Sequence, residues 1–191
     1  VGHTKVALDG ERANVRTRTT NMSNLITDAL REASGADIVI TNGGGIRASI
    51  PAGDITMGNV YTVLPFDNSL VVIELSGDKI LAALEHGLSS YPNQAGSFAQ
   101  VSGLTLRFDP SKPAGSRILE ALVAGETLDP DRLYTVATND FMAAGGDGYV
   151  WFKEANIIFD SGEMLRDIVA GYLMEHESVE ASSEIRIVPV K

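Results

Sequence analysis

Ile38-Val39-Ile40-Thr41-Asn42-Gly43-Gly44-Gly45-Ile46-Arg47 carries a β-branched run straight into an asparagine, three glycines and an arginine. Such a run predicts a strand over Asp37–Thr41, because Val and Ile fit a pleated, buried surface. Three successive glycines cost roughly 0.5–1 kcal/mol each relative to alanine in regular structure. A folded chain keeps them where the backbone needs positive φ or where something must approach the main chain closely. Arg47 then offers a planar, permanently charged fork suited to phosphate or carboxylate. The same residues also fit a plain strand-to-turn connection with a solvated arginine, and a lone glycine-rich loop does not choose between the two.

Upstream of this segment, residues 5–20 read as extended, and the alternation in Val15-Arg16-Thr17-Arg18-Thr19 puts Arg16 and Arg18 on one face. A helix follows at about 23–33, with Leu25, Ile26, Ala29, Leu30 and Ala33 at helical spacing. Asn21 or Ser23 is its expected N-cap, and Gly35 its stop.

Downstream, Ile50–Asp54 is a turn, and Thr56 caps a short helix that ends before Pro65. Leu70–Leu75 reads as a strand buried on both faces, and a helix runs from Ser76 to about Ser89. Leu104–Phe108 and Ile118–Leu122 alternate and predict antiparallel pairing in the middle of the chain, where Gly125-Glu126 supplies a turn. Tyr134–Thr138 is a further strand, Leu165–Leu173 marks a last helix over about 162–176, and Glu184–Val190 is a closing strand. No linker divides the chain; residues 109–116 are the best candidate loop. The expectation is one α+β domain with mixed β-sheets and interspersed helices. A weak internal echo, strand then Asn then glycine loop, occurs at 38–45 and again at 134–148.

Composition narrows the function classes. A net charge of −10 over 191 residues argues against nucleic acid or an anionic membrane surface as partner, since both need positive surface. The absence of cysteine removes disulfides and thiolate metal sites without fixing a compartment. No apolar run approaches the ~20 residues of a membrane span. Val1–Lys5 has neither the basic nor the apolar region of a signal peptide. His3, His86 and His176 lie more than eighty residues apart, with no ligand-spaced pair, so no metal centre is expected in this chain. No Ser has a GxSxG context either.

What remains is binding chemistry. Arg12, Arg16 and Arg18 share parity, and with Arg47 they would make a positive spot on an acidic molecule. Each alone is equally a solvated surface residue; if strand 15–19 lay beside the one ending at Asn42, Arg18 and Arg47 would converge. Leu64-Pro65-Phe66-Asp67-Asn68 is a poor context for a core aromatic, and Asn139–Tyr149 holds Phe141 and a glycine-flanked Asp147. Two exposed phenylalanines can clamp a flat ring, worth about 1–3 kcal/mol per stacked base. The competing reading tucks both rings into the core.

Taken together, NGGGIR, VLPF and NDFMAAGGDGY, in that order, resemble the C-terminal domain of the 5′-nucleotidase family, nearly end to end. The resemblance implies that residues 1–191 are a substrate-binding domain. It implies a base held between Phe66 and Phe141, ribose hydroxyls on Asp147, and a pocket lined by Asn42, Gly45 and Asn68. Arg18 and Arg47, and in some members Arg12 and Arg16, would contact phosphate and ribose. Two divalent metals and the hydrolytic residues would belong to an N-terminal metallophosphoesterase domain absent from this chain. The fragment alone would then be inactive, and the setting periplasmic, secreted or cell-surface. The sequence departs from the family at Thr19, where members often carry Glu, and at Ser23, where they often carry Gly. Two alternatives share the fold: a hydrolase of sulfur compounds, and a stand-alone binding or surface-interaction domain.

Overall fold

The computed structural model describes residues 1–190. In chain order, the first half runs β1 (Gly2–Thr4), α1 (Arg12–Val15), α2 (Asn21–Ser34), β2 (Ile38–Asn42), β3 (Gly53–Ile55), α3 (Met57–Val63), β4 (Ser69–Ser76) and α4 (Gly77–Gly87). Strands β5 (Ala99–Ser102), β6 (Leu104–Phe108), β7 (Ile118–Val123), β8 (Glu126–Thr127) and β9 (Leu133–Asn139) follow. The chain closes with α5 (Asp140–Ala143), α6 (Val150–Lys153), β10 (Asn156–Met164), α7 (Leu165–His176), β11 (Ser178–Val179) and β12 (Ile187–Pro189).

The central sheet has the order β10-β4-β9-β2-β5, and its one parallel pair is β2 with β9. A smaller sheet, β12-β6-β7-β8, and a three-stranded one, β11-β1-β3, flank it. Each sheet mixes parallel and antiparallel pairs, as the α+β expectation has it.

Period-two alternation sends β2, β4 and β9 into two separate cores. Val39, Leu70, Val72 and Ala137 meet α2, α3 and α7 on one face of the central sheet. Ile38, Ile40, Val71, Ile73 and Val136 meet α4 and the inner face of the β12-β6-β7-β8 sheet on the other. Coverage on both faces is why these strands read as nearly continuous apolar runs.

Three expectations are corrected. Residues 5–20 are not an extended segment: Asn14 and Val15 donate their backbone N–H to Glu11 O, closing the helical turn α1. The cap of α2 is Thr20, in a capping box with Ser23, which serves as the reciprocating third residue. Residues 162–164, expected in the last helix, belong to β10, an edge strand that the sequence did not announce. The two family departures serve packing here: Ser23 completes that cap, and Thr19 Oγ1 accepts from the N–H of Arg186 and of Ile187.

Candidate functional site

A cleft of about 450 Å³ opens beyond the ends of β2 and β9, lined by Arg16, Asn42, Gly44, Gly45, Arg47, Phe66, Asn68, Gly96, Phe141 and Asp147. Because β2 and β9 are parallel, their carboxyl ends lie at the same sheet edge, the edge at which ligands collect in open sheets. Each strand ends in an asparagine and passes into a glycine-containing loop, so the two halves of the sequence echo face one another.

Asparagine side chains lock the halves together. Asn139 Nδ2 donates to Asn42 Oδ1 at 3.1 Å, and Asn42 Nδ2 donates to Asp147 Oδ2 at 2.9 Å. Asn139 also caps α5, its Oδ1 accepting the Met142 N–H at 2.8 Å. Asp147 takes a left-handed conformation, φ 55°, and its carbonyl lies 2.7 Å from His86 Nε2 on α4. Asp147 is thereby held at its backbone by His86 and at its carboxylate by Asn42, in the lining of the cleft.

The triple glycine is needed for close approach. A Cβ on Gly43 would stand 2.0 Å from Val15 O, and one on Gly44 would stand 2.9 Å from Gly96 Cα. Here the backbone just past β2 passes against α1 and against the loop before β5, tied by Gly43 N–H to Phe98 O and Gly44 N–H to Gly96 O. Gly146 plays a comparable part under the second aromatic, where a Cβ would meet the Phe141 ring at 2.6 Å.

Phe66 and Phe141 are 48 % and 44 % exposed. Those values discard the buried-anchor reading: both rings face solvent and line one cleft. Arg47 sits over the Phe66 ring, 5.6 Å from its centroid, and its backbone N–H donates to Val63 O.

The arginines divide. Arg16, half-buried at the end of α1, reaches the cleft together with Arg47. Burial holds the Arg16 pKa below its usual value, and the charges of Arg12 and Arg47 push the same way against Asp147. Arg16 and Arg47 thus share one cleft, with Arg12 near enough for its charge to act on Arg16, and among the described residues none of the three has a carboxylate within ion-pair distance. Positive charge is thereby concentrated at one spot of an acidic molecule. Arg18 does not line the cleft. It is exposed, and the expected strand that would have carried it beside β2 is absent; its carbonyl instead accepts from Gln100 Nε2 at 2.7 Å. Arg12 is exposed on the first residue of α1 and is felt through its charge.

Sequence reasoning missed three contributors: Gly96 in the cleft wall, His86 behind Asp147, and Arg166 behind Phe66. The last two lie 61 and 100 residues from the groups they hold, and no local pattern marks them. Among the described residues, no group of three or more His, Cys, Asp or Glu side chains is placed to hold a metal ion. Among the described residues, no helix is long and apolar enough to cross a membrane.

Fold and cleft together define an α+β domain with a candidate ligand site at the carboxyl edge of its central sheet. A family model described as the 5′-nucleotidase, C-terminal domain, matches residues 1–154, and the chain belongs to that family. It is 48 % identical over 165 residues to the trifunctional nucleotide phosphoesterase protein YfkN of Bacillus subtilis, covering 82 % of this chain and 11 % of that protein. It is 32 % identical to the 5′-nucleotidase of Diplobatis ommata over all of this chain and 37 % of that one. The crystal structure of a 5′-nucleotidase precursor from Thermus thermophilus superposes with a TM-score of 0.95 at 48 % identity, covering 100 % of this chain and 39 % of the other. The chain thus spans well under half the length of each of these relatives.

Proposed function

We propose that this chain is the substrate-binding domain of a two-domain, metal-dependent nucleotide phosphoesterase. In that reading Phe66 and Phe141 stack on the two faces of the base, and Asp147, supported by Asn42, accepts hydrogen bonds from the ribose hydroxyls. Asn68 and Gly45 line the pocket beside the base. Arg16 and Arg47 hold the phosphate, with Arg12 adding charge and Arg18 reaching the phosphate only from the rim. One observation carries it: two half-exposed rings from loops 75 residues apart line the same cleft as a carboxylate and two arginines lacking a carboxylate partner. The pattern suits a ligand with a flat apolar end, a hydroxylated middle and an anionic end. A small sulfur anion would leave both rings without a use, which favours the nucleotide over the sulfur-compound alternative.

The hydrolytic step itself belongs, in this proposal, to a metal-bearing domain outside the chain, where two divalent ions would activate water and steady the leaving oxygen. The chain contributes binding and orientation, and the setting is periplasmic, secreted or cell-surface, as for a scavenging enzyme. Isothermal titration calorimetry with adenosine and AMP tests the reading. Phe66→Ala and Phe141→Ala should each weaken both ligands, since a stacked base is worth about 1–3 kcal/mol, or 5- to 150-fold. Unchanged affinity in both variants refutes the base clamp.

A further inference from the structure

Phe66 is the outermost large residue of a loop with little packing of its own. Pro65, Phe66 and Asp67 are all exposed, yet Phe66 must stand at a fixed height and angle if it is to be one wall of a ring-binding slot. A single side chain from the far end of the sequence supplies the missing support. Arg166, in the first turn of α7, extends under the loop with only 11 % of its side chain accessible. Its Nη1 donates to Pro65 O at 3.4 Å and to Phe66 O at 3.2 Å, and its Nη2 donates to Asp67 Oδ1 at 2.5 Å. The guanidinium plane lies over the Tyr61 ring, 4.7 Å from its centroid, and Met164 Sδ is 3.1 Å from Nη2. Hydrogen bonding to Asp67, and then its charge, lifts the Arg166 pKa above the usual value, as expected of a cation engaged on its acidic partner. Three successive residues of the loop are thus gripped by one planar fork, a task that lysine's point charge cannot duplicate.

We infer that Arg166 is a positioning residue for the base site: it touches no ligand, and it sets Phe66 through the carbonyls of Pro65 and Phe66 and the carboxylate of Asp67. The inference rests on the nucleotide reading of the cleft and adds the α7 side of the domain to it. It also gives the loop a defined rigidity. Leu165 N–H donates to Asn68 O at 2.9 Å, so both ends of 65–68 are pinned to the start of α7. A shift of α7 would then carry Phe66 with it.

The test uses Arg166→Met, which keeps the stem's packing on Tyr61, and Arg166→Lys, which keeps the charge without the fork. Calorimetry on the chain compares AMP with ribose 5-phosphate, which has the sugar and the anion but no base. Arg166→Met should weaken AMP by about tenfold, a part of what loss of a stacking wall costs. Ribose 5-phosphate should stay within twofold, and Arg166→Lys should restore little of the loss. In the double variant Phe66→Ala/Arg166→Met, affinity for AMP should be no lower than in Phe66→Ala alone, because Arg166 acts only through that ring. Equal weakening of both ligands, or additive losses in the double variant, overturns the inference and marks Arg166 as general scaffolding. Phe66→Ala with undiminished AMP affinity overturns the nucleotide reading and the inference with it. A loss with Phe66→Ala but none with Arg166→Met overturns only the inference.

Discussion

Asn42→Asp changes one atom and should turn a stabilising contact into a pH-dependent liability. In the native chain Asn42 Nδ2 donates to Asp147 Oδ2 at 2.9 Å while Asn42 Oδ1 accepts from Asn139. An aspartate at position 42 still accepts from Asn139 but sets a second carboxylate against Asp147. Two unit charges at about 4 Å in an effective dielectric near 20 repel by about 4 kcal/mol. The pair can avoid this by keeping one proton, which costs about 1.4 kcal/mol for each pH unit above an ordinary carboxylate pKa near 4, or roughly 4 kcal/mol at pH 7. Asp147 is only partly buried, so solvent screening reduces either figure, and the expected cost at pH 7 is about 2–4 kcal/mol. For a chain of this length that lowers the Tm by about 4–16 °C. The sign follows from linkage. The paired carboxyls hold a proton more tightly folded than unfolded, so the penalty grows as pH rises from about 4 and vanishes below it, where both states are protonated. Thermal melts of Asn42→Asp and the parent from pH 4 to 8 should therefore converge at the acid end, whereas an Asn42→Ala deficit should change little with pH. A variant as stable as the parent at pH 7, or a deficit that ignores pH, refutes the Asn42–Asp147 contact and the fixed carboxylate built on it.

The other expectations concern charge and alkaline stability. Arg16→Ala should weaken AMP by about 10- to 150-fold, the loss of a charged hydrogen bond of about 1.5–3 kcal/mol, and leave adenosine nearly untouched; Arg18→Ala should change AMP by less than threefold, and equal effects would return Arg18 to the cleft. Tyr149 is buried with its hydroxyl donating to Ser97 O at 2.6 Å, and burial, then the Asp147 charge, raises its pKa above the usual 10. Above pH 10 the unfolded chain ionises this phenol while the folded chain does not, so stability falls with rising pH by up to about 1.4 kcal/mol per unit. Urea midpoints of Tyr149→Phe should fall less steeply than the parent's between pH 9.5 and 11.5, and parallel curves would contradict the assignment.

How far the chain could be read beforehand depended on whether a signal was local. The helix α2 announced itself through Leu25, Ile26, Ala29 and Leu30 on one stripe and the left-handed Gly35, φ 66°, that ends it. Strand β4 announced itself as an apolar run because both its faces are covered. The turn α1 did not. The alternation of Val15–Thr19 mimics a strand, but the segment is fixed by a distant group, Gln100 Nε2, which donates to Val15 O and Arg18 O. A local pattern carried no trace of it, and the strand reading set Arg18 beside Arg47, where the structure brings Arg16. Strand β10 failed for the opposite reason. Ile157, Ile158 and Phe159 are about half exposed at the sheet edge, with register shifts against β4, so neither alternation nor a clean buried run survives.

The echo between residues 38–45 and 134–148 is where sequence and site meet. Two strands that each run from apolar residues into an asparagine have no reason to cooperate if they are antiparallel, since their loops would then leave from opposite edges. Parallel pairing of Ile38 with Val136 and Val39 with Ala137 brings Asn42 and Asn139 to one edge, within hydrogen-bond reach. Each asparagine then turns its strand into a short helical segment; Gly43 lets the first approach α1 closely, and Gly146 lets the loop after the second pack on the Phe141 ring. The cleft is therefore a consequence of strand direction. One loop brings Arg47, the other brings Phe141 and Asp147, and the asparagine pair keeps them in register. Phe66 comes from outside this arrangement, with Asn68 on the loop after α3, as do Arg16 at the end of α1 and Gly96 before β5. A ring arriving from elsewhere needs its own anchor, and the fork of Arg166 beneath its carbonyl is the one the fold provides.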